Sequence, residues 1–124
     1  MLHRKRSTQD IGAAGEQIAC DYLAKNGYAI MERNFRVRGG EIDIIAKKDG
    51  QLCFIEVKLR MSDVFGLPEQ YVTRTKLSRI HFAMKKYLAT HGEFDNSAHR
   101  IEIIAIMHAP PREPAIHHIR DIVV

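Results

Sequence analysis

Tryptophan is absent from this sequence and cysteine occurs only twice, at Cys20 and Cys53. The two cysteines lie far apart and form no C-x-x-C pair, which removes the sequence basis for a zinc site or a dithiol redox motif. They read as buried thiols in a reducing compartment. No apolar run approaches the roughly 20 residues needed to span a bilayer. The basic start, Met1 to Arg6, is followed by Ser7-Thr8-Gln9-Asp10 instead of the apolar stretch of a secretory signal, so a cytoplasmic protein without membrane contact is expected. Four Tyr and five Phe are too few for the interleaved stacking platform of a single-strand RNA binder. There is no Gly-rich phosphate loop, serine nucleophile elbow or dinucleotide fingerprint. The seven histidines show neither H-x-H nor H-x-x-x-H spacing and read as surface residues.

What is present is an ordinary globular composition. Of 124 residues, 45% are apolar and 27% charged, enough for one domain with a real core and too few residues for two. Nineteen Lys and Arg against fifteen Asp and Glu leave a net charge of +4, which permits a nucleic-acid partner without requiring one. From Ser7 to Asn26, Ile11, Ile18, Ala19, Tyr22 and Leu23 recur at helical intervals, and Asn26-Gly27 supplies a left-handed stop. Tyr28 to Phe35 reads as a strand followed by a basic turn, Arg36 to Gly40. Glu41 to Lys48 and Gln51 to Arg60 read as a hairpin around Asp49-Gly50. Met61 to Thr73 has no period and reads as a loop of functional length. A second helical stripe runs from Thr75 through Leu77, Ile80, Met84, Tyr87 and Leu88, with Gly92 as its cap. His99 to Met107 alternates like a strand. After the Pro-rich break at 109–114 the tail reads as an edge strand. The expected fold is α/β: a small central mixed sheet flanked by helices in α-β-β-β-α-β order.

The hairpin carries the chemistry. With Asp49 and Gly50 as loop residues, partners across the ladder have numbers summing to 99, so Asp43 falls opposite Glu56, Glu41 opposite Lys58 and Ile45 opposite Phe54. Ile42, Ile44, Ala46, Cys53, Ile55, Val57 and Leu59 then share the other, apolar face. Two carboxylates about 5 Å apart repel by roughly 3 kcal/mol at an effective dielectric near 20. A fold tolerates that if one is protonated or a cation sits between them. Lys58 points to the same side. Two hard oxygen donors and an adjacent ammonium suit Mg²⁺ (or Mn²⁺) and the polarisation of a phosphate and its attacking water. The plainer alternative is the wet side of a half-exposed hairpin with Lys58 neutralising two acids. Ile45 and Phe54 on the same face weigh against it, because they place these polar groups under cover.

These residues carry a family resemblance. Asp43 followed by Glu56-Val57-Lys58 resembles the D…E-x-K half of the PD-(D/E)xK nuclease motif. Together with Gly15-Glu16, Arg33-Asn34-Phe35-Arg36, Gly39-Gly40-Glu41-Ile42-Asp43-Ile44-Ile45-Ala46 and Phe54-Ile55-Glu56-Val57-Lys58, it is similar to the bacterial YraN-like family, itself similar in fold to archaeal Holliday junction resolvases. The resemblance runs from about Ile11 to Met107. It implies a restriction-endonuclease-like fold, Asp43 and Glu56 as metal ligands, Lys58 as the residue that positions or activates water, and Glu16 as the acid that completes the site. Leu59 stands where the family commonly has Thr, and Glu102 where it commonly has Asp.

A phosphate-receiving site needs a basic rim. Arg36, Arg38 and Arg60 lie near the ends of the carboxylate strands, and Arg74, Lys76 and Arg79 lie on the second helix, where a solvated face is the alternative. The expected organisation is a basic arm at 1–10, a nuclease-like domain at 11–108 and a tail at 109–124, with the 62–73 loop as a flap. Arg4, Lys5 and Arg6 would add to the rim. The expected activity is metal-dependent endonucleolytic hydrolysis of DNA, branched or otherwise structured, with a homodimer needed for paired cuts. The alternative is a nuclease-fold accessory module that binds DNA or protein without turnover.

Overall fold

The structure, a computed structural model, describes residues 8–61, 72–91, 99–120 and 122; the side chains of residues 8–11 are not described. Residues 1–7 of the expected basic arm at 1–10, most of the 62–73 loop and the Gly92 cap lie outside the described residues. Helix α1 spans Thr8–Lys25, followed by β1 (Ala29–Val37), β2 (Gly40–Lys48), β3 (Gln51–Arg60), α2 (Arg74–Thr90), β4 (His99–Met107) and β5 (Ala115–Ile119). The strands form one sheet in the order β1-β2-β3-β4-β5, antiparallel except for the parallel β3–β4 pair. A parallel pair needs a crossover, and α2 lies in that connection. This mixed sheet with two helices is the expected α/β architecture and is compatible with the restriction-endonuclease-like fold. Among the described residues no helix is long and apolar enough to cross a membrane.

Each helix stripe meets one face of the sheet. Ala19, Cys20 and Leu23 of α1 pack with Ile44, Ala46, Cys53, Ile55, Ile104 and Ile106. Ile80, Ala83, Met84 and Tyr87 of α2 pack on the opposite face with Ile45, Leu52, Phe54 and Ile101. Strands β3 and β4 are thus covered on both sides, which explains their apolar runs Leu52 to Ile55 and Ile103 to Met107. Gly27 closes α1 at φ +85°, and the Tyr28 amide returns to the Leu23 carbonyl at 3.0 Å. Thr73 caps α2, its hydroxyl oxygen accepting from the Lys76 amide at 3.1 Å.

The β2–β3 hairpin follows the summed register from Lys48–Gln51 to Ile44–Ile55. Asp49 (φ 50°) and Gly50 (φ 78°) both take the left-handed conformations of a two-residue turn of the primed type. Beyond Ile44 the ladder changes, and the expected partners Asp43–Glu56 and Glu41–Lys58 are not paired in it. In an unbroken ladder the Val57 amide would go to the Ile42 carbonyl; here it donates to Asp43 Oδ2 at 2.8 Å. A side chain has replaced the main chain as acceptor. Ile42 consequently joins the core beneath α2 with Ile45, and not the α1 face with Ile44 as alternation alone predicts. A second difference concerns β1, which runs on to Val37, so Arg36 is a strand residue and the turn contains only Arg38 and Gly39.

Two glycines let the helices approach closely. A Cβ at Gly15 would stand 3.1 Å from Leu59 Cβ, so α1 rests directly on β3. A Cβ at Gly40 would collide with the Arg79 carbonyl oxygen and press on the Ala83 amide, both on α2. Gly40→Ala is therefore expected to destabilise the fold by about 1–3 kcal/mol through overpacking. Gly12→Ala on α1, where nothing lies within 4 Å of the added methyl, should stabilise by about 0.5–1 kcal/mol. Urea unfolding of both variants checks the pair.

Candidate metal and phosphate site

At the point where the β2–β3 ladder parts, the sheet opens a cleft of about 720 Å³. Its walls bring together Glu16 from α1, Glu41 and Asp43 from β2, Glu56 and Lys58 from β3, Lys76 from α2, and Asn34 and Arg36 from β1. All four residues expected to carry catalysis, Glu16, Asp43, Glu56 and Lys58, therefore line one space. They reach it by different routes. Gly15 seats α1 against β3 and so places Glu16, whereas Gly40 seats α2 on the start of β2 and brings Lys76 over Glu41.

Glu56 is the most constrained member. Its side chain is 2% exposed, and Oε2 is buried without a hydrogen-bond partner. Its other oxygen, Oε1, lies 3.4 Å from both Lys58 Nζ and Lys76 Nζ. Both distances exceed the 2.7–2.9 Å or so of a strong charge-assisted hydrogen bond. Burial and the negative charge of Asp43 push the Glu56 carboxyl up to about 7, against the opposing pull of Lys76 and Lys58. The same causes, weaker, act on Glu16: burial and then Asp43 raise it, while Arg33, Arg36 and Asn34 pull it down. Glu16 Oε1 is also buried without a partner. Glu41 behaves in the opposite way, its carboxyl held low chiefly by the hydrogen bond from Lys76 Nζ at 3.0 Å.

Unpaired buried carboxylate oxygens beside a second carboxylate are what a hard cation would satisfy. Among the described residues no three of His, Cys, Asp and Glu form a ready-made metal cage. The donor set is the Asp43–Glu56 pair with Glu16 nearby, and this still fits Mg²⁺, which is commonly held by one or two carboxylates with water and phosphate oxygens completing its shell.

The expected phosphate contacts divide. Arg36 lines the cleft, its Nε 3.9 Å from Glu41 Oε2. Lys76 is drawn inward as an ion-pair partner of Glu41 and Glu56 instead of lying on the outer flank of α2. Arg38, Arg60, Arg74 and Arg79 are exposed and do not line the cleft.

A second polar cluster was not legible in the sequence. Glu102 on β4, fully buried, accepts from the Tyr28 hydroxyl at 2.9 Å and from His118 Nε2 at 2.6 Å. With its proton on Nε2, His118 can accept at Nδ1 from the Tyr22 hydroxyl, 3.1 Å away. His118 is 6% exposed, so the surface reading of the histidines fails for it. The signal was available in part: a charged residue inside the apolar alternation of β4 needs a buried partner. Glu102 does not line the cleft.

Comparison with known proteins agrees with the motif blocks. The family model described as "Uncharacterised protein family UPF0102" matches residues 15–106. A UPF0102 protein of Trichlorobacter lovleyi is 43% identical over 115 residues, covering 92% of this chain and 90% of its own. One from Chlorobium phaeobacteroides is 48% identical over 97 residues (78% and 76%), and one from Geobacter sulfurreducens 41% over 111 residues (90% and 86%).

The electrostatics make a direct prediction. A carboxyl raised above its unfolded value binds more protons folded than unfolded, so Glu56 should cost the metal-free protein stability as pH rises from about 4.5 to about 7, with no further loss above. In carboxyl-detected NMR without divalent ions, Glu56 is expected to titrate near 7, and Asp43→Asn should lower that midpoint by removing the repelling charge. A midpoint in the ordinary carboxylate range, unmoved by Asp43→Asn, would contradict the described geometry.

Proposed function

This chain belongs to the UPF0102 family, the YraN-like branch of the restriction-endonuclease-like PD-(D/E)xK superfamily, and on that premise we propose that it is a metal-dependent DNA endonuclease. Membership makes it a nuclease-like protein. The finer reading rests on one observation, the buried Glu56 carboxylate with an unpartnered oxygen beside Asp43 in a cleft that also holds Lys58.

In this reading Asp43 and Glu56 hold Mg²⁺ or Mn²⁺, with Glu16 as the further acid. Such an ion, when bound, neutralises phosphate charge and makes its water a better nucleophile. The protein's own groups do the rest. Asp43 is fixed by the Val57 amide, so its carboxylate needs little reorganisation to serve as a ligand. Lys58, ion-paired with Glu56, lines the same cleft, and in this reading its ammonium positions the attacking water beside the scissile phosphate. Arg36 within the cleft, with Arg38, Arg60, Arg74 and Arg79 outside it, provides contacts to the DNA backbone. The family's likeness to junction resolvases makes branched DNA the preferred substrate, and paired cuts across a two-fold junction would require a homodimer.

The competing reading is an accessory module that binds DNA or protein without cleaving it. The two ammonium groups already on Glu56 favour it. Cleavage assays on branched, single-stranded and linear DNA with Mg²⁺ or Mn²⁺ separate the two. Nuclease chemistry predicts cleavage that is lost with chelator and falls by about 10²-fold or more in Asp43→Asn and Lys58→Ala. Cleavage unaltered in both variants would sink the assignment.

A further inference from the structure

Lys76 is poorly explained as a simple phosphate contact. Its ammonium lies 3.0 Å from Glu41 Oε1 and 3.4 Å from Glu56 Oε1, and its side chain is only 23% exposed. Lys58 shares the Glu56 contact, but it sits on the same strand, two residues further on, and 3.4 Å from that one acid. Lys76 bridges two acids from different strands. Its backbone is pinned as well, because the Thr73 side chain caps its amide and Gly40 lets α2 settle on β2 close by.

A divalent ion bound by Asp43 and the free oxygen of Glu56 would bring two like charges close to the Lys76 ammonium. Their repulsion is relieved if that ammonium gives up Glu56 and stays on Glu41, the shorter of its two contacts. Resting on the proposed metal reading, we infer that Lys76 is the resident counter-ion of the Asp43–Glu56 pair, exchanged for the divalent ion and kept in the cleft by Glu41. The ammonium offsets the charge of the buried Glu56 beside Asp43 while no metal is bound. When the metal takes Glu56, the released ammonium stands in the cleft, able to meet a phosphate oxygen. Loading the ion and arming a substrate contact are then one rearrangement of a single side chain.

The test is calorimetric titration with MnCl₂ alone, without DNA, of the wild-type protein and of Lys76→Met, Lys76→Gln, Glu41→Gln and Asp43→Asn. Far-UV circular dichroism establishes that each variant is folded. Removing the competing cation should tighten Mn²⁺ binding about tenfold in Lys76→Met and Lys76→Gln. Glu41→Gln should weaken it, and by less when Lys76 is already Met. Thermal unfolding supplies a second readout: in chelator, Lys76→Met should melt below wild type, and Mn²⁺ should raise its midpoint by more than it raises the wild-type midpoint. If wild type binds Mn²⁺, Asp43→Asn loses it, and the folded Lys76 variants bind no more tightly, the counter-ion role is overturned while the metal site stands. If neither wild type nor the Lys76 variants bind Mn²⁺, the metal reading fails and this inference falls with it.

Discussion

The hydrogen bond from the Val57 amide to the Asp43 carboxylate organises this molecule's chemistry. Up to Ile44 and Ile55 the hairpin is an ordinary antiparallel ladder, locked by the Asp49-Gly50 turn. At Asp43 a side chain takes over the main chain's role as acceptor. The Val57 amide remains satisfied, as a half-buried donor must be. Strand β2 is thereby free to turn Ile42 toward α2, and the space between the strands becomes the cleft. The carboxylate that terminates the ladder is also one wall of the site. A carboxylate held this way would need little reorganisation to serve as the proposed metal ligand.

The cleft is then furnished by the two helices, one from each face of the sheet. Gly15 and Gly40 set how closely α1 and α2 approach, and those approaches decide whether Glu16 and Lys76 reach the parting strands. The outcome is four acids and three cations in one space, with Glu56 nearly inaccessible to water. Burial and mutual repulsion both oppose its charge, and two ammoniums only partly offset them. This unresolved charge separates the cleft from the Glu102 cluster, where hydrogen bonds from His118 and Tyr28 outweigh burial and hold the Glu102 carboxyl low. The Glu102 oxygen that lacks a hydrogen bond, Oε2, faces the Arg100 guanidinium at 3.1 Å, whereas the two ammonium contacts of Glu56, both at 3.4 Å, fall on its other oxygen.

Much of this was legible from local signals. The primed-turn residues at 49 and 50 set the register as far as Ile44 and Ile55; the summed pairs Asp43–Glu56 and Glu41–Lys58 lie beyond the point where the ladder parts, and Asp43, Glu56 and Lys58 meet in the cleft instead. The helical stripes identified the buried faces of both helices. What local pattern could not reach depended on long-range approach. Alternation alone put Ile42 beside Ile44, because it cannot foresee a side chain interrupting the ladder. Lys76 looked like one more cation on a helix flank, because its direction depends on how deeply α2 sits over Gly40. His118 and Glu102 are sixteen residues apart, on neighbouring antiparallel strands, and their pairing required the position of β5. The motif blocks named the acids of the site, whereas the lysine bridging two of them emerged only from the packing.

The account's central claim is that Asp43 and Glu56 form a divalent-cation site where the hairpin parts. The most direct measurement is a crystal structure grown with Mn²⁺, using the metal's anomalous scattering to locate it. A peak between Asp43 and the unpartnered oxygen of Glu56, with the Asp43–Val57 hydrogen bond intact, is the predicted result. Well-ordered carboxylates with no peak between them at millimolar Mn²⁺, and Lys76 still seated on Glu56, would contradict it.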